Sequence, residues 1–145
     1  MQALFHKQPN VIKKIESLPR ETHFFASTIT LGEIEAGHQM TQTTNQKRRD
    51  EYTTWVIEKF VPHAYPVKES TRHYYAQIIG RIWRKHPPAK SSISTEAHLV
   101  SLGVDINDVW TVAVAWEHGL VFVTQDAMQC IREAVGNELR MECWT

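Results

Sequence analysis

Three carboxylates stand where they could do chemistry together. Glu33 lies in "ITLGEIEAG" (residues 29–37), Asp108 opens "DVWTVAVAWEHG" (108–119), and Asp126 follows "LVFVT" (120–124). Two carboxylates ~4 Å apart repel by roughly 1 kcal/mol in water and ~4 kcal/mol at the dielectric of a protein surface. A cluster of acids is therefore costly unless a cation sits in it. Hard oxygen donors without histidine or cysteine select Mg²⁺ or Mn²⁺. A Mg²⁺ that keeps several of its waters suits hydrolysis of a phosphodiester, because it activates the attacking water and stabilises the developing oxyanions.

The elements around these acids must bring them to one edge. "HFFAST" (23–28) reads as a short buried strand, and a helix follows from about Thr30, turning or breaking near Gly37. Apolar spacing predicts further helices from Pro9 (Val11, Ile12, Ile15, Leu18), over 48–60 (Tyr52, Trp55, Val56, Phe60) and over 70–85 (Tyr75, Ile78, Ile79, Ile82). "YPV" (65–67) is a candidate edge strand, and "HPPAKSS" (86–92) is a loop. A short helix over 94–102 is stopped by Gly103, and the apolar helix 108–119 is closed by Gly119. "LVFVT" (120–124) reads as a fully buried strand, and "LRMECW" (139–144) alternates like a last one. Strands alternating with helices predict an α/β fold with a parallel central sheet between helical layers.

That alternation places the acids. A helix from Asp108 to His118 rises ~16 Å at ~1.5 Å per residue, and the five residues Leu120–Thr124 return ~16 Å at ~3.3 Å each. Asp126 thus returns to the level of Asp108, at the carboxyl edge of the sheet. Glu33 sits in the first turn after its own strand, also at a carboxyl edge, where open α/β sheets bind ligands. Each acid also has a plain structural reading. Thr30-x-x-Glu33 has the spacing of a capping box. Asp105 and Asp108 suit an N-cap or a first turn, and Asp126 suits a turn before the next helix.

The bulk properties narrow the class. The 145 residues suit one domain, and 42% hydrophobic content argues against disorder. Sixteen basic and sixteen acidic residues cancel, so any nucleic-acid surface must be local. No apolar run reaches the ~20 residues of a membrane span, and "MQALFHKQPN" lacks a signal-peptide core. Two cysteines, Cys130 and Cys143, fit a reducing cytosol better than a disulfide framework. None of the eight histidines recurs at three- or four-residue spacing, so zinc has no support. No glycine-rich phosphate loop follows a strand, which weighs against a flavodoxin-like nucleotide-binding domain.

The order "STITLGEIEAG", "DVWTVAVAWEHGLVFVTQD", terminal "LRMECW" resembles the PIN-domain ribonucleases, and most closely the VapC-like toxins of bacterial toxin–antitoxin pairs. The resemblance covers nearly the whole chain, and its second stretch is the more specific. It implies a three-layer PIN-like sandwich and a Mg²⁺-dependent (or Mn²⁺-dependent) endoribonuclease, usually dimeric, neutralised by a VapB-like antitoxin. By the same resemblance Glu33 matches the acid of a T-x-x-E motif, and Asp108 the acid that opens the Ala-rich helix. Asp126 matches the acid two residues after a threonine; Thr124 helps orient it, and Asp105 assists without matching a core position. Members of the family begin with a buried strand that supplies a further aspartate, whereas "MQALFHKQPNVIKK" resembles the helix after it. The expectation is therefore a single domain, 1–145, lacking that first strand. Either the natural chain starts upstream, or the protein is a truncated module with weak or no catalysis that binds RNA or an antitoxin-like protein, or another chain completes the sheet.

RNA contacts would need local cations near the acids. Lys47, Arg48 and Arg49 form one run; Arg81, Arg84 and Lys85 form another, with Trp83 among them. Trp83 or Trp110 could stack on an unpaired base. The plain alternative is that both runs are solvated faces and the tryptophans core. For the stripe Tyr52, Trp55 and Phe60 the alternatives are core packing or a protein interface.

Overall fold

The computed structural model describes residues 1–40, 46–89 and 92–144, with only the backbone described at Ala3. The chain divides into two compact units, Met1–Pro66 with Trp144–Thr145, and Val67–Cys143.

In the first unit, short helix α1 (Gln2–Phe5) precedes α2 (Pro9–Glu16). Pro9 opens α2 where a missing N–H costs nothing, and Val11 is its buried residue. Strand β1 (Ala26–Ser27) leads directly into α3 (Thr28–Met40); α4 (Gln46–Phe60) and β2 (Ala64–Tyr65) follow. The two strands pair in parallel, Ala26 with Ala64 and Ser27 with Tyr65. Ala26, Leu31, Val56 and Phe60 form the core, covered by Met1, Leu4, Phe24, Ile34, Tyr52 and Trp55. The Phe5 ring lies 5.1 Å from Tyr52 and 5.5 Å from Trp55, and Trp55 meets Phe60 at 5.6 Å. The aromatic stripe of α4 is thus core packing, and α1, which the spacing does not predict, supplies part of its cover. The strand expected over 23–28 shortens to two residues, and Phe25 is exposed. Gly37 does not break α3, which runs on to Met40. Trp144 belongs to this unit, its ring edge-on to Phe24.

In the second unit, α5 (Thr71–Lys85), α6 (Thr95–Ser101) and α7 (Ile106–Glu117) precede β3 (Phe122–Thr124), α8 (Gln129–Val135) and β4 (Met141–Cys143). Ile78 and Ile82, one turn apart on α5, are sealed from water, each worth about 1.5–3 kcal/mol relative to exposure. They pack in one core with Leu99, Val109, Val112, Ala113, Ile131 and Val135. Five of the residues of α7 are buried, so it is apolar nearly all round, as an interior helix must be. Gly103 (φ +69°) and Gly119 (φ +61°) end α6 and α7 in the same way. In each, the next N–H reaches back five residues, Val104 to Leu99 and Leu120 to Ala115. Of the loop expected over 86–92, residues 90–91 lie outside the described residues.

Strand β3 pairs in parallel with β4, Phe122 with Met141 through Thr124 with Cys143. The expectation of a fully buried strand fails here: Val121 is 47% and Val123 39% exposed. Alternation turns Phe122 toward the core and Val123 away from it. The fold is mostly helical α/β with short parallel strands. Among the described residues these form two separate two-stranded sheets, one in each unit.

Candidate functional site

The first acid depends on where α3 begins. Ser27 is 6% exposed, and its Oγ accepts the N–H of Thr30 at 3.1 Å and stands 3.0 Å from the Thr30 hydroxyl. Ser27 therefore caps α3, and the helix starts earlier than the Thr30-x-x-Glu33 spacing suggests. The Thr30 N–H that a capping box would give to Glu33 is given to Ser27 instead. Glu33 sits in the second turn, exposed, and is not the capping acid of this helix.

The second acid lies at the head of α7. Asp105 is the N-cap, its carboxylate accepting the Asn107 N–H at 2.7 Å. That is the plain structural reading of Asp105, and it commits one of its oxygens. Asp108 is the acid of the first turn, half-buried, where the positive end of the helix dipole favours negative charge. The third acid follows β3. Thr124 Oγ1 accepts the Asp126 N–H at 3.0 Å, so the hydroxyl fixes the turn that carries the exposed Asp126. Two residues on, Met128 adopts a left-handed conformation (φ +43°) at the N-cap of α8, a strained position for a residue with a Cβ.

Asp108 and Asp126 share the second unit; Glu33 belongs to the first. Among the described residues, neither unit by itself gathers three or more His, Cys, Asp or Glu side chains able to hold a metal ion. Both cysteines are free thiols.

The candidate RNA-binding cations separate into committed and uncommitted ones. Arg81 ion-pairs with Glu138 at 2.5 Å, donates to the Ala134 carbonyl at 3.0 Å and lies 5.1 Å over the Trp116 ring. Lys85 pairs with Glu133 at 2.7 Å. These partners hold both glutamates below the usual carboxylate range, Glu133 through Lys85 and Gln129, Glu138 through Arg81. Arg48 reaches the His6 ring at 3.4 Å, and Arg49 donates to the Gly37 carbonyl at 3.3 Å, which ties α4 to α3. Among the described residues Arg84 makes neither a hydrogen bond nor an ion pair. Trp110 is already stacked on Tyr75, centroids 3.9 Å apart and planes within 16°. Trp83 sets its ring at 78° to that of buried His98, 5.0 Å away.

Glu117, at the end of α7, is a polar anchor that the sequence reading overlooks. Its carboxylate accepts the hydroxyls of Ser70 and Thr71 at the start of α5, and these bonds lower its pKa. Thr71 is fully buried. The signal lies in two short hydroxyl residues before an apolar helix, but their partner is 46 residues away.

No protein-family model and no curated protein sequence matches the chain. Solved structures do. VapBC-1 of nontypeable Haemophilus influenzae matches with a TM-score of 0.68 over 99% of this chain and 90% of that chain, at 14% identity. VapBC2 of Rickettsia felis, bound to a DNA fragment from its promoter, matches with a TM-score of 0.69 over 99% and 91%, at 13% identity. VapBC-5 of Mycobacterium tuberculosis, a member of the VapBC family of toxin–antitoxin systems, matches at 0.51 over 81% and 77%, with 22% identity. At such identities the likeness is one of fold. The VapC-like fold that the sequence motifs resemble is the fold of this chain.

Proposed function

We propose that the chain is a metal-dependent endoribonuclease, the toxin of a toxin–antitoxin pair, with Glu33, Asp108 and Asp126 as its catalytic carboxylates. The observation that carries this reading is the likeness to VapBC structures over 99% of the chain, joined to three acids in the order the resemblance requires. Fold alone does not confer activity. Ser27 accepts the Thr30 N–H at the start of α3, and Asp105 accepts the Asn107 N–H at the start of α7.

The donor set is all carboxylate, which fits Mg²⁺ or Mn²⁺ and disfavours zinc. Glu33, Asp108 and Asp126 would hold the ion. Such an ion supplies an activated water and charge neutralisation at the scissile phosphate. The residues themselves act by position. Asp108 stands in the first turn of α7, and Thr124 fixes the turn under Asp126. The rest of the proposal is one PIN-like domain, 1–145, layered as a three-layer sandwich and acting as a cytoplasmic homodimer with a VapB-like antitoxin. Among the described residues no single helix is long and apolar enough to cross a membrane.

A second reading has one observation in its favour. Among the described residues neither unit alone assembles three metal-binding side chains, which suits a catalytically weak or inactive module that binds RNA or an antitoxin-like protein. Incubation of the full chain with RNA and Mg²⁺ or Mn²⁺ separates the two. Cleavage that disappears in Asp108→Asn supports the nuclease; intact RNA with both metals, also for a chain extended to any upstream start codon, rejects it.

A further inference from the structure

Helix α5 presents two adjacent rows of side chains at four-residue spacing. Tyr75, Ile79 and Trp83 form one; Ala76, Gly80 and Arg84 form the other. Together they line an open groove of about 480 Å³, within the range of small-ligand sites. Long side chains on a helix lean toward its N-terminus, so Arg84 reaches back over Gly80. A Cβ at Gly80 would stand 3.3 Å from Arg84 Nη1, so the missing side chain is what seats the guanidinium. Glycine inside a helix is otherwise unfavourable. Among the described residues no carboxylate lines the groove. The next row on the same helix contrasts with it: Arg81 and Lys85 are both neutralised by glutamates.

We propose that this groove binds one unpaired nucleotide of a single-stranded RNA, its base against Tyr75 and Trp83 and its phosphate on Arg84. Aromatic faces accept any base, and a cation without a carboxylate partner complements a phosphate. The Tyr75–Trp110 stack holds the tyrosine ring in place, so little ordering is needed on binding. The choice of RNA rests on the ribonuclease reading; the position of the site does not.

Anisotropy of a fluorescein-labelled oligouridylate, titrated with the full chain in EDTA so that nothing is cut, tests the groove. Arg84→Gln weakens binding about tenfold and lowers the slope of log K against log salt by about 0.7, the value for one phosphate contact. Trp83→Leu weakens it about tenfold through lost stacking. Lys85→Gln, already committed to Glu133, changes it less than about twofold. Gly80→Ala weakens binding yet raises the melting temperature, a combination that misfolding cannot produce. Wild type that does not bind the oligonucleotide, or Arg84→Gln and Gly80→Ala that bind like wild type, overturns the proposal. So does Arg84→Gln that leaves RNA binding intact but shifts the sedimentation coefficient, which makes the groove a protein interface. A Mn²⁺ cleavage assay runs separately: Arg84-dependent binding by a chain that never cuts RNA upholds the groove and removes the nuclease, and cleavage with unchanged binding in Arg84→Gln does the reverse.

Discussion

Helices α3 and α7 begin by the same device with different residues. At α3 a buried serine gives its hydroxyl oxygen to the helix, and the acid, Glu33, stands a turn further on. At α7 an exposed aspartate gives its carboxylate, and a second acid, Asp108, stands in the first turn. In both, the residue that caps the helix is not the acid that follows it. An acid near a helix start is thus no evidence of a site until its cap is known. Here the caps are Ser27 and Asp105, and Glu33 and Asp108 stand further along their helices.

The comparison breaks most visibly in activity. Glu33→Gln should lower the Mn²⁺-dependent cleavage rate by about a hundredfold or more, the scale of losing a group that stabilises transition-state charge. Asp105→Asn should lower it less than about threefold, since asparagine caps a helix as well as aspartate does. Equal losses in a single-turnover assay would erase the distinction between the two acids.

Stability sharpens it next. Ser27→Ala should cost about 1–2 kcal/mol, because a buried hydroxyl that serves both Thr30 groups is lost, and Asp105→Ala should cost about 0.5–1 kcal/mol at its exposed cap. Urea denaturation of both variants measures the difference. A smaller effect belongs to α5, whose start is held by Glu117 in place of a local cap. Its carboxylate is held below its ordinary pKa, so its contribution is fully present above the ordinary glutamate range and is lost as pH falls through the lowered value. Glu117→Gln should cost about 1 kcal/mol near neutrality, with the gap to wild type closing in acid. A gap that stays constant with pH would show the hydroxyl contacts to be neutral ones. The smallest effect is a gain: Gly80→Ala should stabilise by about 0.5–1 kcal/mol, provided the exposed Arg84 side chain gives way by a few tenths of an ångström.

Legibility in sequence followed the range of the interaction that decides each feature. The helix α7 and its Gly119 stop are readable in sequence, because an apolar helix and its stop are local. The start of α3 is not. "STIT" offers several hydroxyl residues as caps, and Ser27 wins where β1 ends against Tyr65, 38 residues away. The exposure of Val123 escaped the apolar pattern for the same reason, since a strand of valines looks alike whether or not a layer covers it. The run 81–85 shows three cations, Arg81, Arg84 and Lys85, without revealing which are spent, a matter settled by Glu133 and Glu138 about fifty residues on. The two separate strand pairs follow from chain pairing that no window of residues encodes.

Calorimetric titration of the full chain with Mn²⁺, repeated on Glu33→Gln, Asp126→Asn and Asp105→Asn, tests the three-acid site most directly. The account predicts saturable binding by the wild type, weakened at least tenfold by Glu33→Gln and by Asp126→Asn and retained in Asp105→Asn. A wild type that takes up no Mn²⁺, or a Glu33→Gln chain that binds it as well as the wild type, would contradict the account.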